Sequence, residues 1–172
     1  ATAALLADGI GSGHVIAKDA AVLCGRPWFE ACFRHLDPQV SMQWLVEEGD
    51  EIAAGTVLVR FSGRIRALLG AERSALNFLQ TLSATATETA RYAKALRGTR
   101  TRVLDTRKTL PGLRQAQKYA VRVGGGINHR MGLYDAVMLK ENHIIAAGSI
   151  ADAVANARRQ RPALPVIVEV ES

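Results

Sequence analysis

The chain has 172 residues, 48% apolar and 5% aromatic, with a formal net charge of +6. That length suits one domain, or one small domain and part of another, and the apolar fraction excludes a disordered chain. The longest apolar runs are too short to span a bilayer, no basic region leads into an apolar one at the start, and Cys24 and Cys32 alone form neither a disulfide framework nor a metal site, so a cytoplasmic protein in a reducing compartment is expected.

The first half reads as a β-rich unit with helices. His14 to Leu23 has strand character, and Gly25-Arg26-Pro27 breaks it and opens a helix. That helix places Phe29, Cys32, Phe33 and Leu36 on one face by the i, i+3, i+4, i+7 spacing. Val40, Met42, Trp44 and Val46 alternate as in a half-buried strand, Glu48-Gly49-Asp50 is a turn, and Gly55 opens a strand with Val57, Val59 and Phe61 on one side. The run EEGDEIAAGTVLVRFSG resembles the hammerhead turn of biotinyl and lipoyl carrier domains. A carrier needs a modifiable lysine at a hairpin tip, and none lies between Lys18 and Lys94, which argues against that function.

From Ala67 to about Arg97 the periodicity is helical, with Leu68, Leu69, Leu76, Leu79 and Leu82 as core positions and Arg73, Asn77 and Gln80 as a polar stripe. The stripe is a solvated face or a face turned to a neighbouring subunit. After Gly98 the rhythm becomes strand, helix, strand, helix, strand: Arg102 to Thr106, Leu113 to Val123, Asp135 to Leu139, Ser149 to Gln160 with Ser149 as N-cap, and Pro165 to Val170. Such alternation predicts parallel strands with crossover helices. The expectation is a domain over 1–98 that includes the long helix, and over 99–172 the start of a larger α/β barrel, which needs roughly 250 residues to close.

Residues 91–130 carry eleven Lys or Arg and one acid, Asp105. Arg107 with Lys108, Lys140 with Glu141, and Glu169 with Glu171 fall at or near the carboxyl ends of predicted strands, the face where parallel α/β architectures bind ligands. Charges at the ends of buried strands need a compensating partner. Converging cations therefore suggest a site for a multiply charged anion, against the plainer possibility of an internal ion-pair network in which Asp105 or Glu169 answers Arg107. Gly124-Gly125-Gly126 matches neither a dinucleotide fingerprint nor a phosphate loop, but it delivers His129 and Arg130 together. His14, His35, His129 and His143 show no metal-ligand spacing.

The stretches GAERSALNFLQTLSATAT, DTRKTLPGLR, KYAVRVGGGINHRMGLYDAVMLKENHI and VIVEVE together resemble the quinolinate phosphoribosyltransferases, the nicotinate-nucleotide pyrophosphorylases. The resemblance runs from about Gly13 to the end. It implies an amino-terminal open-faced α/β sandwich followed by an α/β barrel, in a homodimer or higher oligomer whose subunits complete each other's sites. It implies transfer of a phosphoribosyl group from phosphoribosyl pyrophosphate to quinolinate, giving nicotinate mononucleotide, pyrophosphate and carbon dioxide, with Mg²⁺ accompanying the pyrophosphate. By motif, Arg107, Arg130, Lys140 and His129 would hold the two ring carboxylates, and Arg73 would reach the partner subunit's site. Lys108 would face phosphate groups, and Glu169 would sit by the ribose hydroxyls and the developing positive charge, leaving Glu169 and Lys140 as the catalytic pair. The family extends past Glu169-Val170-Glu171 through a further acid and glycine-rich phosphate loops, so the expectation is a fragment that is inactive alone.

Other readings stay open on sequence. A nicotinate phosphoribosyltransferase, or a molybdenum-transport-associated relative of the same fold, would keep the architecture and change the ligand; the Arg107, Arg130 and Lys140 set favours a dicarboxylate. A nucleic-acid-binding module would explain the basic balance, but few aromatics are available for stacking.

Overall fold

The computed structural model describes residues 9–170; Glu171, grouped above with Glu169, lies outside them. The chain is mixed α/β, as expected, and its contacts form two compact units. The first comprises residues up to 105 together with 110–128, and the second 106–109 together with the residues from 129 onward. No helix among the described residues is long and apolar enough to cross a membrane.

The first unit holds β1 (Ile10–Ile16), β2 (Ala21–Val22), α1 (Arg26–Leu36), β3 (Ser41–Trp44), β4 (Glu51–Ile52), β5 (Val57–Arg64), α2 (Ile65–Ala95) and α3 (Arg114–Val123). Three antiparallel strands form a sheet in the order β1-β5-β3. The register sets Val15 opposite Val59 and Val59 opposite Trp44, and these side chains join Phe29 and Phe33 of α1 in the core. The intervening row His14, Arg60 and Gln43 is exposed, so only one face of the sheet is covered. A single covered face is what the half-buried alternation predicts, and it matches the open-faced sandwich that the resemblance implies. Aromatic rings tighten the covered side, with centroids 5.0 Å apart for Phe33–Phe61 and 5.4 Å for Phe29–Trp44.

The predicted strand from His14 to Leu23 is in fact two. Ala17 turns to bond the Gly55–Thr56 corner (N–H to Thr56 O, 2.9 Å; O from Gly55 N–H, 2.8 Å), which leaves Lys18 and Asp19 in solvent. The short β2 pairs with β4 and takes its remaining partners from α2. Thr87 Oγ1 accepts from Val22 N–H at 2.9 Å, and Ser83 Oγ both accepts from Cys24 N–H and donates to Cys24 O at 3.0 Å. Small hydroxyl side chains here supply an edge that would otherwise lack hydrogen bonds.

Helix α2 is the spine of this unit. Its buried residues Leu68, Ala71, Ala75, Leu79, Leu82, Ala86 and Thr89 recur at three- and four-residue steps and form one stripe. The first four pack under the sheet and α1, while Leu82 and Ala86 meet Ala116 and Ala120 of α3. Leu69, expected in the core, is 51% exposed because it lies about 100° round the helix from Leu68. At the end of α1 the carboxylate of Asp37 is buried and gripped by the Arg64 guanidinium through two bonds of 3.2 Å and by Gln39 N–H at 3.0 Å. These contacts hold the carboxyl below the usual carboxylate range.

The second unit holds β6 (Val137–Leu139), α4 (Glu141–Ala147), α5 (Ile150–Gln160) and β7 (Val166–Val168). Strands β6 and β7 pair in parallel, Val137 opposite Val166 and Leu139 opposite Val168, with α5 as their crossover. Ser149 caps α5 as expected, its Oγ accepting from Asp152 N–H at 3.0 Å. Helix α4 was not anticipated. It forms because His143 Nδ1 accepts from Lys140 N–H at 3.0 Å while His143 N–H reaches Lys140 O at 2.8 Å, closing the first turn. The predicted strand over Arg102–Thr106 reduces to one parallel bridge between Leu104 and Ile127. Just past the bridge the Asp105 carboxylate turns inward to bond Lys118.

Candidate active site

Two strand ends build the centre. The apolar run of β6 ends at Leu139 and that of β7 at Val168, so the parallel register brings the next residues, Lys140 and Glu169, to the same edge. Glu169 N–H bonds Leu139 O at 2.9 Å, extending the ladder by one rung, and Lys140 Nζ lies 3.0 Å from the Glu169 carboxylate. The two side chains are 49% and 58% exposed. An ion pair so open to solvent contributes at most about 1 kcal/mol, and a ligand can part it at low cost.

Arg130 lies along β6. Its Nη1 donates to Ala136 O at 3.3 Å, and its Nη2 lies 3.4 Å from Met138 Sδ. Asp135 closes the loop between them by accepting from Met131 N–H at 2.6 Å and Gly132 N–H at 3.2 Å. His129 is half-buried just before Arg130. Residues 106–109 pack into this same unit. Lys108 N–H bonds Thr106 Oγ1 at 3.0 Å and Thr109 N–H bonds Arg107 O at 3.0 Å, so Arg107 and Lys108 sit on a tight turn. Lys108 is exposed, whereas Arg107 Nε is buried with no hydrogen-bond partner among the described residues. A buried, unsatisfied donor costs about 1–3 kcal/mol, and more when charged.

The structure thus joins Lys140 to Glu169 and gathers Arg107, Lys108, His129 and Arg130 into the same compact unit. Arg73 belongs to the first unit, where it is exposed on α2 beside a groove of about 990 Å³ lined by Val15, Phe61, Leu68, Leu69 and Leu76. The ion-pair network considered from sequence exists with other partners: Glu169 answers Lys140, and Asp105 answers Lys118.

Sequence reasoning missed Lys118 altogether. It is 1% exposed, and the Asp105 side chain 5%. Asn128 donates from Nδ2 to Asp105 and, at 2.9 Å, to Lys118 O. The available signal was the single acid among eleven cations, which marks a pairing without saying which cation takes it. Among the described residues no three His, Cys, Asp or Glu side chains converge to hold a metal ion. They do not fit a protein-built Mg²⁺ site.

A family model described as "Quinolinate phosphoribosyl transferase, C-terminal domain" matches residues 85–172, and one described as the N-terminal domain matches residues 1–83. The chain belongs to the quinolinate phosphoribosyltransferase family. It is 46% identical over 162 residues to a probable carboxylating nicotinate-nucleotide pyrophosphorylase of Synechocystis sp., covering 94% of this chain and 55% of that one. It is 50% identical over 127 residues to the carboxylating nicotinate-nucleotide pyrophosphorylase of Mycobacterium leprae, covering 74% and 45%. Among solved structures, the nicotinate-nucleotide pyrophosphorylase from Francisella tularensis superposes with a TM-score of 0.94 at 43% identity, covering 99% of this chain and 61% of that chain. NadC from Streptococcus pyogenes gives 0.91 at 48% identity, covering 95% and 59%. The chain spans about half the length of the curated relatives it matches. These two solved structures therefore share the fold of this chain over nearly its whole length.

Proposed function

We propose that this chain carries the dicarboxylate-binding part of a quinolinate phosphoribosyltransferase, a pentosyltransferase of NAD biosynthesis. The observation that bears most weight is the buried, unpartnered Nε of Arg107 in the same unit as Arg130 and Lys140. A pyridine dicarboxylate is a dianion whose oxygens supply the missing acceptors, and guanidinium forks bind carboxylates bidentately. Arg107, Arg130 and Lys140, with His129, hold the two carboxylates of quinolinate. Lys108 meets the phosphates of phosphoribosyl pyrophosphate, and Glu169 faces the ribose.

In the reaction the ring nitrogen attacks the anomeric carbon, and the bond to pyrophosphate breaks with its electron pair leaving on oxygen. The sugar gains positive charge in that passage, and the Glu169 carboxylate, released from Lys140, stabilises it. Holding the nitrogen under the anomeric carbon supplies much of the acceleration. The bond to the 2-carboxylate then breaks, carbon dioxide departs, its electron pair stays on the ring carbon under the pull of the quaternised nitrogen, and a proton replaces it. Mg²⁺ enters as the companion of the pyrophosphate. The described residues build no site for it, and no step here is drawn through it.

The remaining assignments belong to the same proposal: a sandwich domain over 1–98 and the barrel start over 99–172, a homodimer or higher oligomer in the cytoplasm, and Arg73 serving the partner's site. The exposed Arg73 with Leu69 and Leu76 on the same stretch of α2 supports a face made for a second copy. Calorimetric titration tests the ligand. Quinolinate should bind more tightly than nicotinate, and Arg130→Ala should weaken it by more than about tenfold. Near-normal quinolinate binding by that variant would refute the assignment.

A further inference from the structure

We propose that the Asp105–Lys118–Asn128 cluster is a positioning device that fixes the separation of Arg107 and Arg130 and thereby sets the preference for a dicarboxylate. The inference rests on the reading of the site given above.

The register of two segments carries it. Leu104 and Ile127 form a parallel bridge, with Ile127 N–H bonded to Val103 O at 2.8 Å and Asp105 N–H to Ile127 O at 3.1 Å. One residue beyond the bridge on each segment stand Asp105 and Asn128, and three residues beyond stand Arg107 and Arg130. The chain leaves the first unit immediately after Asp105 and immediately after Asn128. The last residue of each segment inside that unit is therefore locked to the other: Asn128 Nδ2 donates to one oxygen of the Asp105 carboxylate, and Lys118 Nζ donates to the other. A second bond from Asn128 to Lys118 O, 2.9 Å long, stops the amide from turning. Each arginine is two residues past this lock, so its Cα stays within about 7 Å of a fixed point.

Stability alone does not call for such a cluster. A buried ion pair is commonly matched or bettered by apolar residues of the same volume, because desolvating the charges offsets their attraction. What directional bonds add is a single geometry. Two guanidinium groups that must meet two carboxylates on one small ring need a fixed spacing, whereas a monocarboxylate needs only one of them.

The test uses the neutral, near-isosteric double variant Asp105→Asn/Lys118→Met and, separately, Asn128→Ala, each checked for folding by circular dichroism. Calorimetry with quinolinate and with nicotinate gives the ratio of affinities, which a purely structural role would leave alone. The ratio should fall by about tenfold in either variant, through weaker quinolinate binding. The bridging backbone amides of Asp105 and Ile127 should exchange about tenfold faster, and those of Lys140 and His143, held by α4, at the normal rate. An unchanged ratio in a folded variant overturns the proposal. If the unsubstituted protein binds neither acid, the site reading fails, and the exchange rates decide alone: acceleration at Asp105 and Ile127 without change at Lys140 and His143 supports positioning, and unchanged rates sink it. Failure of both variants to fold also overturns it, since the cluster would then be a folding element.

Discussion

Replacing Gly124 by alanine tests how the glycine run delivers the site loop. Gly124 ends α3 at φ −74, a conformation open to any residue, so backbone freedom does not explain it. The space does: a Cβ there would lie 2.3 Å from Ala86 O, 2.7 Å from Thr89 Cβ and 3.1 Å from Ala86 C. Two of those atoms are backbone of α2, in mid-helix and unable to yield. Helix α3 would have to withdraw by about 1 Å, loosening Ala116 and Ala120 from Leu82 and Ala86, and overpacking of this kind costs about 1–3 kcal/mol. At about 2–4 °C per kcal/mol for a chain of this length, the thermal midpoint should fall by about 6–12 °C if the upper end applies. Gly125 supplies the control. It sits at φ +86 with Ala93 Cβ as its nearest neighbour at 3.6 Å, so Gly125→Ala meets conformational strain of about 1–2 kcal/mol and no clash. Asparagine tolerates that backbone region, so Gly125→Asn should recover part of the loss while Gly124→Asn recovers none. Melting followed at 222 nm distinguishes the two cases. If Gly124→Ala melts with the unsubstituted protein, the close packing of α3 on α2 described above is wrong.

Other expectations follow from single residues. In the full-length enzyme of which this chain is the expected part, Glu169→Gln should lower turnover by about 10²–10³ while leaving quinolinate affinity nearly unchanged, a split that steady-state kinetics against each substrate resolves. Tyr119, at a tilted 5.2 Å from Trp28, has its phenol pushed up to about 12 by burial and then by the Glu48 carboxylate. Because the folded value is raised, its stabilising contribution is complete below the unfolded value of about 10 and disappears as pH rises through the folded one. Absorbance at 295 nm should show a late ionisation step, and Tyr119→Phe should remove it. Asp37 works in the opposite sense: Arg64 and then Gln39 N–H depress its carboxyl, so its contribution is present above the unfolded value of about 3.9 and fades as pH falls through the folded one. Asp37→Asn should lower the melting temperature at neutral pH, with the difference closing in acid; a constant difference across pH would contradict the assignment.

Elements with a strong local period were legible in the sequence. The three- and four-residue spacing from Leu68 to Leu82 located α2, the alternation from Val40 to Val46 located β3, and Ser149 marked the start of α5. The strand-end rule likewise found Lys140 and Glu169, since it needs only an apolar run followed by a charge. Where the pattern was short it misled. Arg102–Thr106 has β character but its partner is a coil 23 residues on, and no local rhythm reports on how many rungs such a pairing will have. Leu69 was placed in the core because leucine is apolar, although its angle on the helix turns it outward.

Side-chain chemistry and periodicity, both written in the order of residues, determined the mixed α/β class, the long helix and the set of cations that could serve an anion. That Lys118 is spent internally on Asp105, and that the Arg107 Nε is buried without an acceptor, was decided only by the folded chain. The same holds for Gly124, whose reason lies in atoms of α2 more than thirty residues earlier. Charge and size are local properties of a residue, but desolvation and close contact depend on what tertiary packing brings alongside it.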